Sequence, residues 1–291
     1  MRAPAKLTLL LDVGPRDASG LHPLVGVFQS VSLFDEVAIG PSDDWHLSVS
    51  GPAADGVPND DTNLAMRAAR AFAALHLSGE QGITLELDKR IPAGGGLGGG
   101  SSDASAVLVG LNEATGGTVS RKALEKLAIT LGSDVPFCVR GGTAVVEGTG
   151  DRLTTLPVAG ELWWVLLGSD LACSTAAVYE RFDARGGGRA LDLRAGPHEL
   201  ADGLARGDLA RVAAALSNDL EPAALDLWPE LAAGREALRA AGALGVILAG
   251  SGSTWAGLCR DGAHATSVAS SVGGIVVRAL AHGPDAASEA P

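Results

Sequence analysis

Apolar and polar positions alternate in some stretches of the chain and recur at helical spacing in others, and the two kinds are interleaved from end to end. The pattern predicts an α+β fold. KLTLLLDV, from Lys6, reads as a first strand; VFQSVSLFDEVAI, with a change of direction at Phe34 to Glu36, and WHLSVSG follow as strands. After the loop GPAADGVPNDD, the segment DTNLAMRAARAFAALHL puts Leu64, Ala68, Phe72 and Leu75 on one helical face, with Asp60 or Asp61 as its cap. GITLELD is a strand with Ile83, Leu85 and Leu87 on one side. A glycine run comes next, and then a helix with Ala104, Val107, Leu108 and Leu111 at helical spacing, capped by Ser101 or Ser102 and ended by Gly116-Gly117. SRKALEKLAITLG is a helix capped by Ser120 and closed by Gly132, and TAVVEG is a strand.

A composition shift at 151–161 marks a domain boundary ahead of the buried strand LWWVLLG, whose Trp163 and Trp164 face opposite ways. CSTAAVYERFD starts a helix capped by Ser174. ARGGGRALDLRAG reads as a mobile loop with Arg185, Arg189 and Arg194 solvated, and short helices run on through Leu216. Two apolar strands flank Gly250 to Thr254, a last helix and strand follow, and HGPDAASEAP carries no apolar pattern and is expected to be disordered. The expected division is a domain over 1–155, a second over 156–282, and a tail over 283–291.

Composition narrows the function. The chain of 291 residues is long enough for one large or two modest domains. A formal charge of −12 argues against a broad nucleic-acid surface, but a local cradle of N–H groups can still hold a nucleotide. Cys138, Cys173 and Cys259 are odd in number and far apart, which suggests neither a disulfide framework nor a zinc site. No apolar run approaches the ~20 residues of a membrane helix, and MRAPAKLTLLLDVG reads as a strand rather than a signal peptide. The expectation is a cytoplasmic protein, monomeric or homodimeric, with no nucleic-acid or membrane partner.

The chemistry centres on Pro92 to Gly116. Glycines without Cβ let backbone approach an anion, and the helix start behind them offers unpaired N–H groups. The order strand, glycine loop, helix is therefore read as a phosphate cradle formed by Pro92, Ala93, Gly94, Gly95, Gly96, Leu97, Gly98, Gly99, Gly100, Ser101 and Ser102. A flexible linker would not sit between an alternating strand and an amphipathic helix. A P-loop would need Gly-Lys-Ser/Thr, which is absent. Gly94, Gly96 and Gly99 satisfy the dinucleotide pattern, but not near a first strand with an acidic residue closing the second. By themselves, Lys6 reads as a strand-end lysine, Asp134 as a turn residue before Pro136, His22 as a surface histidine, and Asn218-Asp219 as structural.

PAGGGLGGGSSDASA resembles the ATP-binding motif of the GHMP kinase superfamily, the kinases of galactose, homoserine, mevalonate and phosphomevalonate. Three further motifs stand in that family's order: PAKLTLLL (Pro4 to Leu11), LGSDVPFCVRGGTA (Leu131 to Ala144) and LAGSGSTWAGL (Leu248 to Leu258). The resemblance implies a ribosomal protein S5 domain 2-like N-terminal domain and a ferredoxin-like C-terminal domain with the site between them. It implies ATP and Mg²⁺, with Asp134 accepting the acceptor's proton beside Lys6, and with the 250–254 loop closing on the phosphates. The magnesium ligands are not evident, Ser101 and Ser102 being the candidates. The branch resembled acts on the 2-hydroxyl of a cytidine diphosphate-linked methylerythritol. There, His22 matches a histidine that hydrogen-bonds cytosine, Tyr179 an aromatic that packs on it, and Thr8 a position near the acceptor that more often holds asparagine. Leu21 stands in place of a tyrosine that stacks on the base. Another small alcohol such as homoserine or mevalonate as acceptor, or a catalytically silent nucleotide-binding module, are the alternatives.

Overall fold

The structure is a computed structural model, and it describes residues 1–18, 20–77, 82–169, 171, 173–188, 191 and 197–285. β1 (Arg2–Val13) and β2 (Leu24–Ser42) run antiparallel, the whole of β1 pairing with β2 from Leu24 to Glu36. The chain does not change direction at 34–36: one strand runs on through these residues, with a register shift just before them. Pro4 pairs with Phe34 but Ala5 with Val31, so the ladder bulges and β2 continues. β3 (His46–Ser50), α1 (Leu64–His76), β4 (Gly82–Asp88), α2 (Gly99–Ala114), α3 (Arg121–Ala128), α4 (Val135–Arg140), β5 (Thr143–Gly148) and β6 (Arg152–Thr155) follow. The second half of β2 pairs with β4, and its first half pairs with β5. One long strand therefore organises a seven-stranded sheet.

The helices of this half bury Phe72, Val107, Leu108 and Leu124 against Ile83, Leu85 and Leu87. Two caps differ from expectation. The cap of α1 is Asn63, whose Oδ1 accepts from the Ala65 N–H at 2.9 Å, while Asp60 turns to Thr62. Ala68 and Phe72 are buried as expected, but Leu75 is 65% exposed, because the buried face of α1 runs through Ala65, Met66 and Ala69 and ends at Phe72. Ser101 and Ser102 lie inside α2, which starts at Gly98 with no side-chain cap. The caps expected at Ser120 and Ser174 are present.

The C-terminal half contains β7 (Trp163–Leu167), α5 (Thr175–Ala184), α6 (His198–Arg206), α7 (Leu209–Ala215), β8 (Ser217–Asn218), α8 (Glu221–Leu227), α9 (Ala232–Ala240), β9 (Gly245–Leu248), β10 (Trp255–Cys259), α10 (Gly262–Val272) and β11 (Ile275–Arg278). Its four antiparallel strands are ordered β11-β7-β10-β9, the order of a ferredoxin-like sandwich. Trp164 is fully buried and Trp163 partly so, as their opposite facing requires.

The two sheets are joined by packing. Leu7, Leu9 and Val27 share a cluster with Trp164, Leu166 and Ile247, and Leu11 and Phe28 share another with Val165 and Trp255. Gln29 completes the join, donating to Thr143 Oγ1 at 3.0 Å and accepting from Trp164 Nε1 at 2.9 Å. β8 crosses back to pair with β1 in the first sheet. The segment expected to be structureless from 283 starts ordered: Asp285 bridges to the Arg2 backbone and pairs with its guanidinium at 2.8 Å. Residues 286–291, Arg189 and Arg194 lie outside the described residues, and Arg185 is paired with Asp226 at 2.7 Å.

Candidate active site

The glycine loop is moulded by its neighbours. Gly96 has φ of +77°, and a Cβ there would lie 1.9 Å from the Ala249 carbonyl oxygen. Gly98 has φ of +68°, and a Cβ there would lie 2.7 Å from Lys6 Cγ. Only glycine satisfies both the dihedral and the approach. The second glycine loop meets the first through the Thr254 N–H, which donates to the Gly95 carbonyl at 3.3 Å. Asn218 holds that second loop from below, donating to the Leu248 and Gly250 carbonyls at 2.9 and 2.7 Å. With no side chain capping α2, its first N–H groups are left facing the cleft, where an anion would satisfy them.

The cleft has a volume of about 620 Å³ and runs along this loop. Lys6, Thr8, Asp134 and Tyr179 line it, as do Pro92 to Ser101. Ser102 does not line it. That side chain is fully buried, and its hydroxyl donates to the Pro4 carbonyl at 2.6 Å. Lys6 reaches the site because β1 passes under the loop, the Lys6 N–H donating to the Leu97 carbonyl at 2.9 Å. Its ammonium lies 3.2 Å from Asp134 Oδ2, 3.3 Å from Thr8 Oγ1 and over the Phe28 ring at 4.6 Å. Asp134 caps no backbone group, so its carboxylate is free to face the cleft. Burial, with the nearby Asp134 charge adding to it, pushes the Tyr179 phenol up to about 12, which keeps it neutral. Burial first, then Asp134, pushes the Cys138 thiol up as well, so it offers no nucleophile.

His22 is not among the residues that line the cleft but stands behind one that is: its Nδ1 lies 2.8 Å from the Gly14 carbonyl and its Nε2 3.3 Å from Asp183 Oδ1. It packs on Tyr179 with ring centroids 5.2 Å apart. The imidazole therefore backs the tyrosine that lines the cleft. Leu21 is 55% exposed.

Thr175, Val57 and Pro58 line the cleft without having been singled out by the sequence pattern, and the Thr175 hydroxyl meets that of Ser251, in the second glycine loop, at 2.9 Å; Asn63 and Leu64 line the cleft as well. Beneath the loop, Lys89 bonds to both Asp35 and Asp103, all three buried. Burial pushes the Asp103 carboxyl up to about 7 against the pull of the Lys89 ammonium, and the Asp35 charge adds to the rise. A signal for this cluster existed: Asp103 falls one turn ahead of the buried Ala106 and Val107, a carboxylate on an apolar face.

Comparison with known proteins agrees with this geometry. The description "GHMP kinases N terminal domain" matches residues 63–142, and "GHMP kinases C terminal" matches residues 200–276. The 4-diphosphocytidyl-2-C-methyl-D-erythritol kinase of Streptomyces avermitilis is 45% identical over 92% of this chain and 90% of its own. That of Cutibacterium acnes is 44% identical over 94% and 89%. A crystal structure of 4-(cytidine 5'-diphospho)-2C-methyl-D-erythritol kinase superposes with a TM-score of 0.77 at 35% identity, covering 97% of this chain and 99% of that one. With the glycine cradle, the ammonium–carboxylate pair and these relatives in agreement, the chain belongs to the GHMP kinases and, within them, to the 4-diphosphocytidyl-2-C-methyl-D-erythritol kinase family.

Proposed function

We propose that this chain is an ATP-dependent kinase of 4-diphosphocytidyl-2-C-methyl-D-erythritol, phosphorylating its 2-hydroxyl in the non-mevalonate (methylerythritol phosphate) route to isoprenoid precursors. The observation that carries the proposal is the Lys6–Asp134 pair opening onto a glycine-lined cleft, in a chain 45% identical to a relative of that name. The triphosphate lies along Gly94 to Ser101, against the N-terminus of α2. The acceptor enters from the side of Tyr179, whose neutral ring offers a flat face to the cytosine. We place the reaction in the cytoplasm.

Asp134 orients the acceptor hydroxyl and takes its proton as the new O–P bond forms. Lys6 holds that carboxylate in place and offsets charge on the phosphoryl oxygens in flight. The bond between the β- and γ-phosphates breaks, and the negative charge leaves on ADP. For such a transfer, placement and charge compensation matter more than the strength of the base.

Among the described residues no three metal-ligating side chains converge. That donor set fits a Mg²⁺ that arrives on the nucleotide, since such an ion needs only one or two protein oxygens beside the phosphates. Ser101, at the cleft, would supply one, and the ion would neutralise phosphate charge.

The test is a phosphorylation screen with ATP against the cytidyl substrate, its uridyl analogue, homoserine and mevalonate. Preference for the cytidyl substrate is expected. Preference for homoserine or mevalonate overturns the acceptor assignment, and no turnover with any of the four overturns the kinase.

A further inference from the structure

A single buried cluster fastens both ends of the glycine loop. At the entry, Asp35 Oδ1 accepts from the Arg90 and Ile91 N–H groups at 2.6 and 2.8 Å, immediately before Pro92. Its Oδ2 accepts from the Lys89 ammonium. At the exit, the same ammonium donates to Asp103 Oδ2, in the second turn of α2. Asp35 is fully buried and is not a cleft residue, so it cannot touch a ligand there. Between these ends, the segment from Pro92 to Gly98 is largely glycine, with positive φ at Gly94, Gly96 and Gly98.

Packing alone does not account for the cluster. Burying three charges is costly even when they are paired, and well-packed apolar residues in their place are often as stable or more so. With both carboxylates on the one ammonium, the cluster also adds no net positive charge below a site meant for phosphate, so it does not serve to attract the anion. What the cluster supplies is geometry. A glycine segment loses much conformational entropy when it is ordered, and a ligand that orders it binds more weakly for that reason.

We infer that Asp35, Lys89 and Asp103 form a clasp that preorganises the phosphate-binding loop, with Asp35 a positioning residue for nucleotide binding. The inference rests on the nucleotide reading of the cleft given above. Asp35 fixes the two amides that aim the chain into the loop. Lys89 sets the distance from that entry to the helix whose N–H groups complete the cradle.

The test measures the affinity of a non-hydrolysable ATP analogue with Mg²⁺ by calorimetry, and amide hydrogen exchange in the ligand-free protein. The proteins compared are the wild type, Asp35→Asn, and Val37→Ala as a control that weakens the same strand without touching the clasp. Asp35→Asn should bind the analogue roughly tenfold more weakly and exchange faster over Gly94 to Gly99. Val37→Ala should do neither. Unchanged affinity in Asp35→Asn, or an equal loss in the control, overturns the clasp. Should Asp35→Asn not fold, the wild type still decides: the Arg90 and Ile91 amides must exchange as slowly as those of Leu85 and Leu87, and loop-like rates overturn the clasp. A wild type that fails to bind the analogue overturns the nucleotide reading, while the exchange data still judge the clasp separately.

Discussion

The Lys6 ammonium stands 3.2 Å from the Asp134 carboxylate, although one comes from the first strand and the other from the junction before α4. Both segments pack on α2, which lies between them in sequence, and the Lys6 N–H also bonds to the Leu97 carbonyl of the glycine loop. The pair is thus a product of the fold, and its removal should affect chemistry more than binding.

Asp134→Ala should lower kcat by about 10²–10⁴, the usual range for a positioned acid or base, while the KM for ATP stays near the wild-type value. Steady-state kinetics with both substrates varied would check this. A kcat near that of the wild type removes the role assigned to Asp134.

Gly96→Ala should damage nucleotide binding far beyond what one methyl group implies elsewhere. Its Cβ would meet the Ala249 carbonyl at 1.9 Å, and φ of +77° is strained for alanine. The two glycine loops would have to separate. A nucleotide titration showing unchanged affinity would count against the interlocked cradle.

Tyr179→Phe keeps the ring and should leave the acceptor KM close to normal, since the neutral phenol is not asked to ionise. Tyr179→Ala should raise the acceptor KM by roughly tenfold or more, the scale of a lost base–aromatic stack, without a matching change for ATP. Equal shifts in both constants would mean that the ring serves the fold and not the acceptor.

Asp103 makes stability depend on pH. Its folded pKa of about 7 is raised above the unfolded carboxylate value, so the stability it contributes is fully present below pH ~4 and is lost as pH rises through about 7. Asp103→Asn removes that loss. Thermal melts at pH 5 and pH 8 should show the variant gaining on the wild type at the higher pH, and a difference independent of pH would contradict the assignment.

Much of this was legible in the sequence because it is local. The strand Gly82–Asp88, the caps Ser120 and Ser174, and the opposed tryptophans on β7 follow from spacing and side-chain chemistry within a few residues. The failures have non-local causes. Nothing between Phe34 and Glu36 says that Pro4 will shift register opposite them and let one strand run on. A serine next to a glycine run reads as a cap until Gly98, in the left-handed region, starts the helix earlier. The surroundings of His22 are likewise set from afar, by Asp183 and Phe182 on α5. The Lys89 cluster assembles from three elements, so no one segment announces it.

Because the carbonyl of Ala249 fills the space where a Gly96 side chain would be, each of the two glycine loops is the mould for the other. Transplanting Pro92 to Ser102 alone into another scaffold would carry the motif without the surface that shapes it. Relatives can therefore be expected to diverge at these two segments together, and a chimaera that exchanges one should regain nucleotide binding only when the other travels with it.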